Sequence, residues 1–66
     1  MKIITRNSTY EIKGNTLLRN GEVYTDKILF HNSNPAIGGR LYVEYEDSNG
    51  CRYYMNTSAI QDVIAD

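Results

Sequence analysis

Tryptophan is absent from this 66-residue chain, and cysteine, histidine and proline each occur once. A single cysteine, Cys51, excludes an intramolecular disulfide and a zinc site built from thiolates, and it points to a reducing compartment. A single imidazole, His31, means that any Ser-His or Cys-His mechanism would have to use it, and no acid is spaced to orient the ring. Scattered carboxylates with one histidine do not make a closed metal shell. No apolar run reaches signal-peptide length or the ~20 residues of a membrane helix, so a soluble, cytoplasmic protein without membrane contact is expected. No Walker pattern accompanies Gly38-Gly39, which read as a bulge or close approach at the head of a strand. Neither an enzyme nor a cofactor is expected.

Charge of one sign is lacking too. The net charge of -1 gives no general footprint for nucleic acid. Its distribution is uneven: residues 31–66 hold Arg40 and Arg52 against five acids, whereas residues 1–30 hold five basic residues against three.

What is present is 41% apolar residues with six tyrosines, the composition of a globular domain rather than a disordered chain. A chain of this length forms one domain, residues 1–66, and buries only ~60% of its unfolded surface, so the core must be small. Four of the tyrosines fall in Arg40–Asn56, the longest alternating stretch. Asp47-Ser48-Asn49-Gly50 at its centre suits a type I turn with Gly50 left-handed. That turn sets Val43 against Met55, Tyr45 against Tyr53, Glu44 against Tyr54 and Glu46 against Arg52. A two-residue Asn49-Gly50 loop would instead set Glu44 and Glu46 among apolar side chains. Because side chains alternate with period two, the hairpin then has a core side, Val43, Tyr45, Cys51, Tyr53 and Met55, and an opposite side.

Asn20-Gly21 fits a two-residue type I′ loop pairing Arg19 with Glu22, Leu18 with Val23 and Leu17 with Tyr24. Lys2–Lys13 reads as one strand bent at Asn7-Ser8, or two short strands, and Lys13-Gly14-Asn15-Thr16 as a tight reversal. Lys27–Phe30 is a short apolar strand, and residues 31–39 form a loop, either a connector or a functional segment. At the C-terminal end, Ser58 and Gln61 make a capping-box pattern, but a helical or 3-10 turn at 57–60 followed by a strand at 61–64 is preferred.

These signals predict an all-β fold: a small SH3-like barrel or two-layer antiparallel sheet of five or six short strands, with a 3-10 or helical turn near the C-terminus. From residue 40 to 64 the order of long hairpin, turn and closing strand resembles an SH3-like barrel. The tryptophan and acidic loop of the SH3 peptide groove are missing, so proline-rich peptide binding does not follow from that resemblance. Thr5-Arg6-Asn7-Ser8-Thr9-Tyr10-Glu11-Ile12 together with Thr57-Ser58-Ala59-Ile60 resembles a loose group of short bacterial and mobile-element proteins, which implies a bacterial or phage origin.

The opposite side of the hairpin, Tyr42, Glu44, Glu46, Arg52, Tyr54 and Asn56, is the candidate protein-binding face, since tyrosine beside arginine is an interface composition. The function expected is a non-catalytic intracellular interaction module, of the kind a phage or mobile element uses to inhibit or adapt a host protein. The partner would be a host protein or a second copy joined through the hairpin. The alternative is a nucleotide or oligonucleotide binder that stacks bases on Tyr42 or Tyr54. Glu44 and Glu46 on the same face oppose a phosphate backbone.

Overall fold

A computed structural model describes residues 1–65. The fold is all-β, with eight strands among the described residues: β1 (Lys2–Thr5), β2 (Thr9–Lys13), β3 (Thr16–Arg19), β4 (Glu22–Thr25), β5 (Ile28–His31), β6 (Tyr42–Glu46), β7 (Arg52–Asn56) and β8 (Ile60–Ile64). They form two antiparallel sheets, ordered β4-β3-β2-β1-β8 and β5-β6-β7. The sheets do not close into a barrel, which corrects the SH3-like expectation, and the strands exceed the five or six predicted. No helical or 3-10 turn forms among the described residues; Thr57–Ala59 is irregular and Ile60 already opens β8.

The first hairpin realises the two-strand alternative for Lys2–Lys13 and accounts for one of the additional strands. Thr5 donates its N–H to the Ser8 carbonyl at 2.9 Å, and the Thr5 hydroxyl both donates to that carbonyl and accepts the Ser8 N–H. The chain therefore reverses at Arg6-Asn7 instead of bending. Ile3 comes to lie opposite Tyr10, so the odd-numbered residues of β1 and the even-numbered ones of β2 share the inner face. Ile3, Tyr10 and Ile12 are accordingly buried with Leu17, Ile28, Leu41, Val43 and Ile60, a core drawn from both sheets.

At Asn20-Gly21 both φ angles are positive, as a type I′ loop requires, and Arg19–Glu22 and Leu18–Val23 pair as expected. The Leu17–Tyr24 pairing does not form. Leu17 faces Thr25, and Tyr24 is the extra residue of a bulge that turns its ring out of the ladder. Arg19 directs its Nε–H to the Ser8 hydroxyl at 3.4 Å.

The 32–41 connection is fastened at both ends. Asn32 donates its side-chain amide to the Arg40 carbonyl and accepts the Tyr42 N–H, each at 2.9 Å. Gly38 N–H bonds the Ile60 carbonyl and Ile60 N–H the Gly39 carbonyl, both at 2.8 Å, so the glycine pair is a close backbone approach to the start of β8.

Candidate functional site

The β6–β7 hairpin has the register read from its turn. Tyr42 faces Asn56, Val43 Met55, Glu44 Tyr54, Tyr45 Tyr53 and Glu46 Arg52. Asp47 holds the turn: its carbonyl accepts the Gly50 N–H at 3.1 Å and its Oδ1 accepts the N–H groups of Asn49 and Cys51 at 2.9 and 3.0 Å. Gly50 lies at φ 81°, where a Cβ is disfavoured. These bonds hold the Asp47 carboxyl below the usual carboxylate range, the Cys51 N–H contributing most, then Asn49, the Tyr53 hydroxyl and the charge of Lys27, against an opposing effect of burial.

The six residues of the candidate face are thus three cross-strand pairs, Tyr42–Asn56, Glu44–Tyr54 and Glu46–Arg52, on the side away from the core. Tyr54 is 71% exposed, Arg52 and Asn56 are exposed, and Tyr42, Glu44 and Glu46 are half-buried. β5 adds a residue that the sequence reading missed. Phe30 lies opposite Glu44 and is 53% exposed. Its ring centroid is 6.2 Å from that of Tyr42, which is in turn 6.2 Å from Tyr54. An aromatic row therefore crosses all three strands, with the Glu44 carboxylate among the rings. Burial, and then the adjacent Glu44 carboxylate, raise the Tyr42 hydroxyl above its ordinary value.

The signal for Phe30 was weak because Ile28-Leu29-Phe30 is a continuous apolar run. Leu29 is the extra residue of a bulge between the Ile28–Tyr45 and Phe30–Glu44 pairs, and this bulge allows Ile28 to point inward while Phe30 points out.

The core side of the hairpin needs two corrections. Cys51 is exposed, and Tyr53 is 47% exposed. Inward burial fades towards the tip: Leu41 and Val43 are fully buried, Tyr45 and Met55 are half-buried, and Cys51 lies beyond the cover of the five-stranded sheet. Tyr24, displaced by its bulge, supplies what cover there is at Tyr45. Their rings meet edge to face at 5.5 Å and their hydroxyls lie 3.3 Å apart, while Tyr53 stacks on Tyr45 at 5.7 Å and donates its hydroxyl to Asp47 Oδ2 at 3.2 Å. The hydrogen bond with Tyr24, then burial, pushes the Tyr45 pKa up to about 12.

His31 is half-buried, opposite Val43, and its Nδ1 lies 3.0 Å from the Asn32 carbonyl, an acceptor that fixes the proton on that nitrogen. Among the described residues no group of three or more His, Cys, Asp or Glu side chains gathers as metal ligands would, and no pocket opens. The candidate site is an open sheet face, suited to contact rather than enclosure. No protein-family model matches the chain, and no curated protein or solved structure matches it.

Proposed function

We propose that this protein is a non-catalytic interaction module whose contact surface is the outer face of the three-stranded sheet. The observation that carries the reading is the adjoining row of Phe30, Tyr42 and Tyr54, exposed at both ends and flanked by Arg52. Aromatic rings beside an arginine are the residues that dominate binding energy at protein interfaces. An open sheet face suits a protein partner, and the half-buried Glu44 and Glu46 favour a surface that offers hydrogen-bond donors or a cation. The exposed thiol of Cys51 suits a reducing compartment, so the partner belongs in the cytoplasm, as a host protein would for a small inhibitor or adaptor from a bacterium or phage.

Stacking of a nucleotide on Tyr42 or Tyr54 is the competing reading. The rings suit it; the two carboxylates on the face oppose its phosphates. Capture from host lysate by the wild-type chain, by a Tyr42→Ala/Tyr54→Ala variant and by a Val23→Ser variant altered on the other sheet separates these readings. The proposal expects a protein retained by wild type and Val23→Ser and lost with the double variant, with binding that survives moderate salt. Equal recovery by all three would overturn it, and a nuclease-sensitive, steeply salt-dependent catch would favour the nucleotide reading.

A further inference from the structure

Four strands lie at sheet edges: β4 and β8 in one sheet, β5 and β7 in the other. Three of them are blunted in ways that natural edges use against strand pairing. β4 carries the Tyr24 bulge. The ladder of β8 with β1 is also irregular, and the Val63 N–H is taken by the Asp62 carboxylate at 2.9 Å. β5 carries the Leu29 bulge, and its Ile28 N–H is bonded to the Asn15 carbonyl. β7 has none of these devices: its ladder with β6 is regular from Arg52 to Asn56, and it contains neither proline nor lysine.

The bonds at the two ends of that ladder show which backbone groups of β7 face outward. Asp47 N–H bonds the Cys51 carbonyl and Thr57 N–H the Leu41 carbonyl. Hydrogen-bonded and non-bonded pairs alternate in an antiparallel ladder, so Tyr53 and Met55 also bond to β6. Arg52, Tyr54 and Asn56 then direct N–H and C=O to the free edge, and these are the same residues whose side chains stand on the aromatic face.

The geometry points to a second copy of this chain as an occupant of that edge, its β7 pairing antiparallel with β7 about a twofold axis at Tyr54. This inference goes beyond the contact face proposed above: pairing at the edge sets two such faces side by side and covers neither. One register satisfies every outward group: Tyr54 opposite the partner's Tyr54, and Arg52 opposite the partner's Asn56, each pair exchanging both backbone bonds. No like charges meet in it. Arg52 meets a neutral amide and has the partner's Tyr54 as its diagonal neighbour, a favourable place for a guanidinium. The two aromatic rows join into one that spans six strands, and on the other side Tyr53 falls opposite the partner's Met55. A shift by one residue would set Tyr53 and Met55, whose backbone groups are turned towards β6, against outward groups and break the row, so the register is fixed by both backbone and side chains.

Sedimentation velocity of the full chain from about 10 µM to about 1 mM tests this, because pairing over one short edge is concentration dependent. The mass should rise from 7.6 kDa towards twice that value. Over the same range, amide exchange at Arg52, Tyr54 and Asn56 should slow by about tenfold or more, while Tyr53 and Met55, already bonded to β6, change little. Asn56→Pro removes an outward N–H and no β6 bond, and should keep the chain monomeric. Should that variant fail to fold, the exchange pattern of the wild-type chain decides. A monomer throughout, or a dimer that leaves those three amides unprotected, would overturn the inference. Neither result would touch lysate capture that is lost with Tyr42→Ala/Tyr54→Ala, so the face and the edge can fail separately.

Discussion

Tyr24 and Tyr45 come from different sheets, yet their rings meet at 80° and their hydroxyls lie 3.3 Å apart. Tyr53 continues the series to Asp47, so a line of contacts runs from β4 across the gap between sheets to the hairpin tip. Tyr24→Ala is expected to cost about 1–2 kcal/mol, from an aromatic pair and a half-exposed ring, measured by urea unfolding. A double-mutant cycle with Tyr53→Ala should show coupling through Tyr45; strictly additive costs would separate the two rings.

The raised Tyr45 hydroxyl gives this contact a signature in alkali. Its folded pKa of about 12 exceeds the unfolded tyrosine value near 10, so the native state keeps the proton longer than the unfolded chain does. The contribution is therefore intact below about pH 10 and is lost as pH rises through about 12. Tyr45→Phe should shallow the fall in unfolding midpoint over that window. An unchanged slope would mean that another group governs it.

Asp47 has the opposite sign. Its folded pKa is depressed, so its contribution is present above the unfolded value and is lost as pH falls through the folded one. Asp47→Ala should lower the melting temperature at neutral pH and flatten the acid arm of the stability profile, both followed by circular dichroism. Gly50→Ala, at φ 81°, should cost about 1 kcal/mol at every pH. If Asp47→Ala leaves the acid arm unchanged, the turn bonds do not set its pKa.

Leu41 immediately precedes β6 and is fully buried between the sheets. Leu41→Ala should cost about 2–5 kcal/mol, against a total of about 3–10 kcal/mol for a domain of this size. The variant should show a clearly lowered urea midpoint and melting temperature by circular dichroism, and a loss of less than about 1 kcal/mol would show that the two sheets do not depend on this residue.

The sequence made local turns legible. Asp47–Gly50 and Asn20-Gly21 each specify a backbone conformation and hence a register, and the candidate face followed directly, since Tyr42, Glu44, Glu46, Arg52, Tyr54 and Asn56 all lie on the outer side. Features that depend on distant partners were not legible. The bulges at Tyr24 and Leu29 come from pairing with neighbouring strands, and they moved Tyr24 to the sheet interface and Phe30 to the outer face. Cys51 alternates as a core residue, but alternation says nothing of where the opposing sheet ends. The Thr5–Ser8 reversal lacks glycine and proline and is held by a threonine hydroxyl, a weak signal beside the apolar pattern around it.

Hydroxyl-radical footprinting of the chain, dilute in host extract and dilute in buffer, reads side-chain exposure on the outer face without requiring the partner to be known. Phe30, Tyr42 and Tyr54 should be protected in extract, with Val23 and Ile37, exposed elsewhere on the molecule, oxidised equally in both. Equal oxidation of the three aromatic rings in extract and buffer would contradict a contact role for this face.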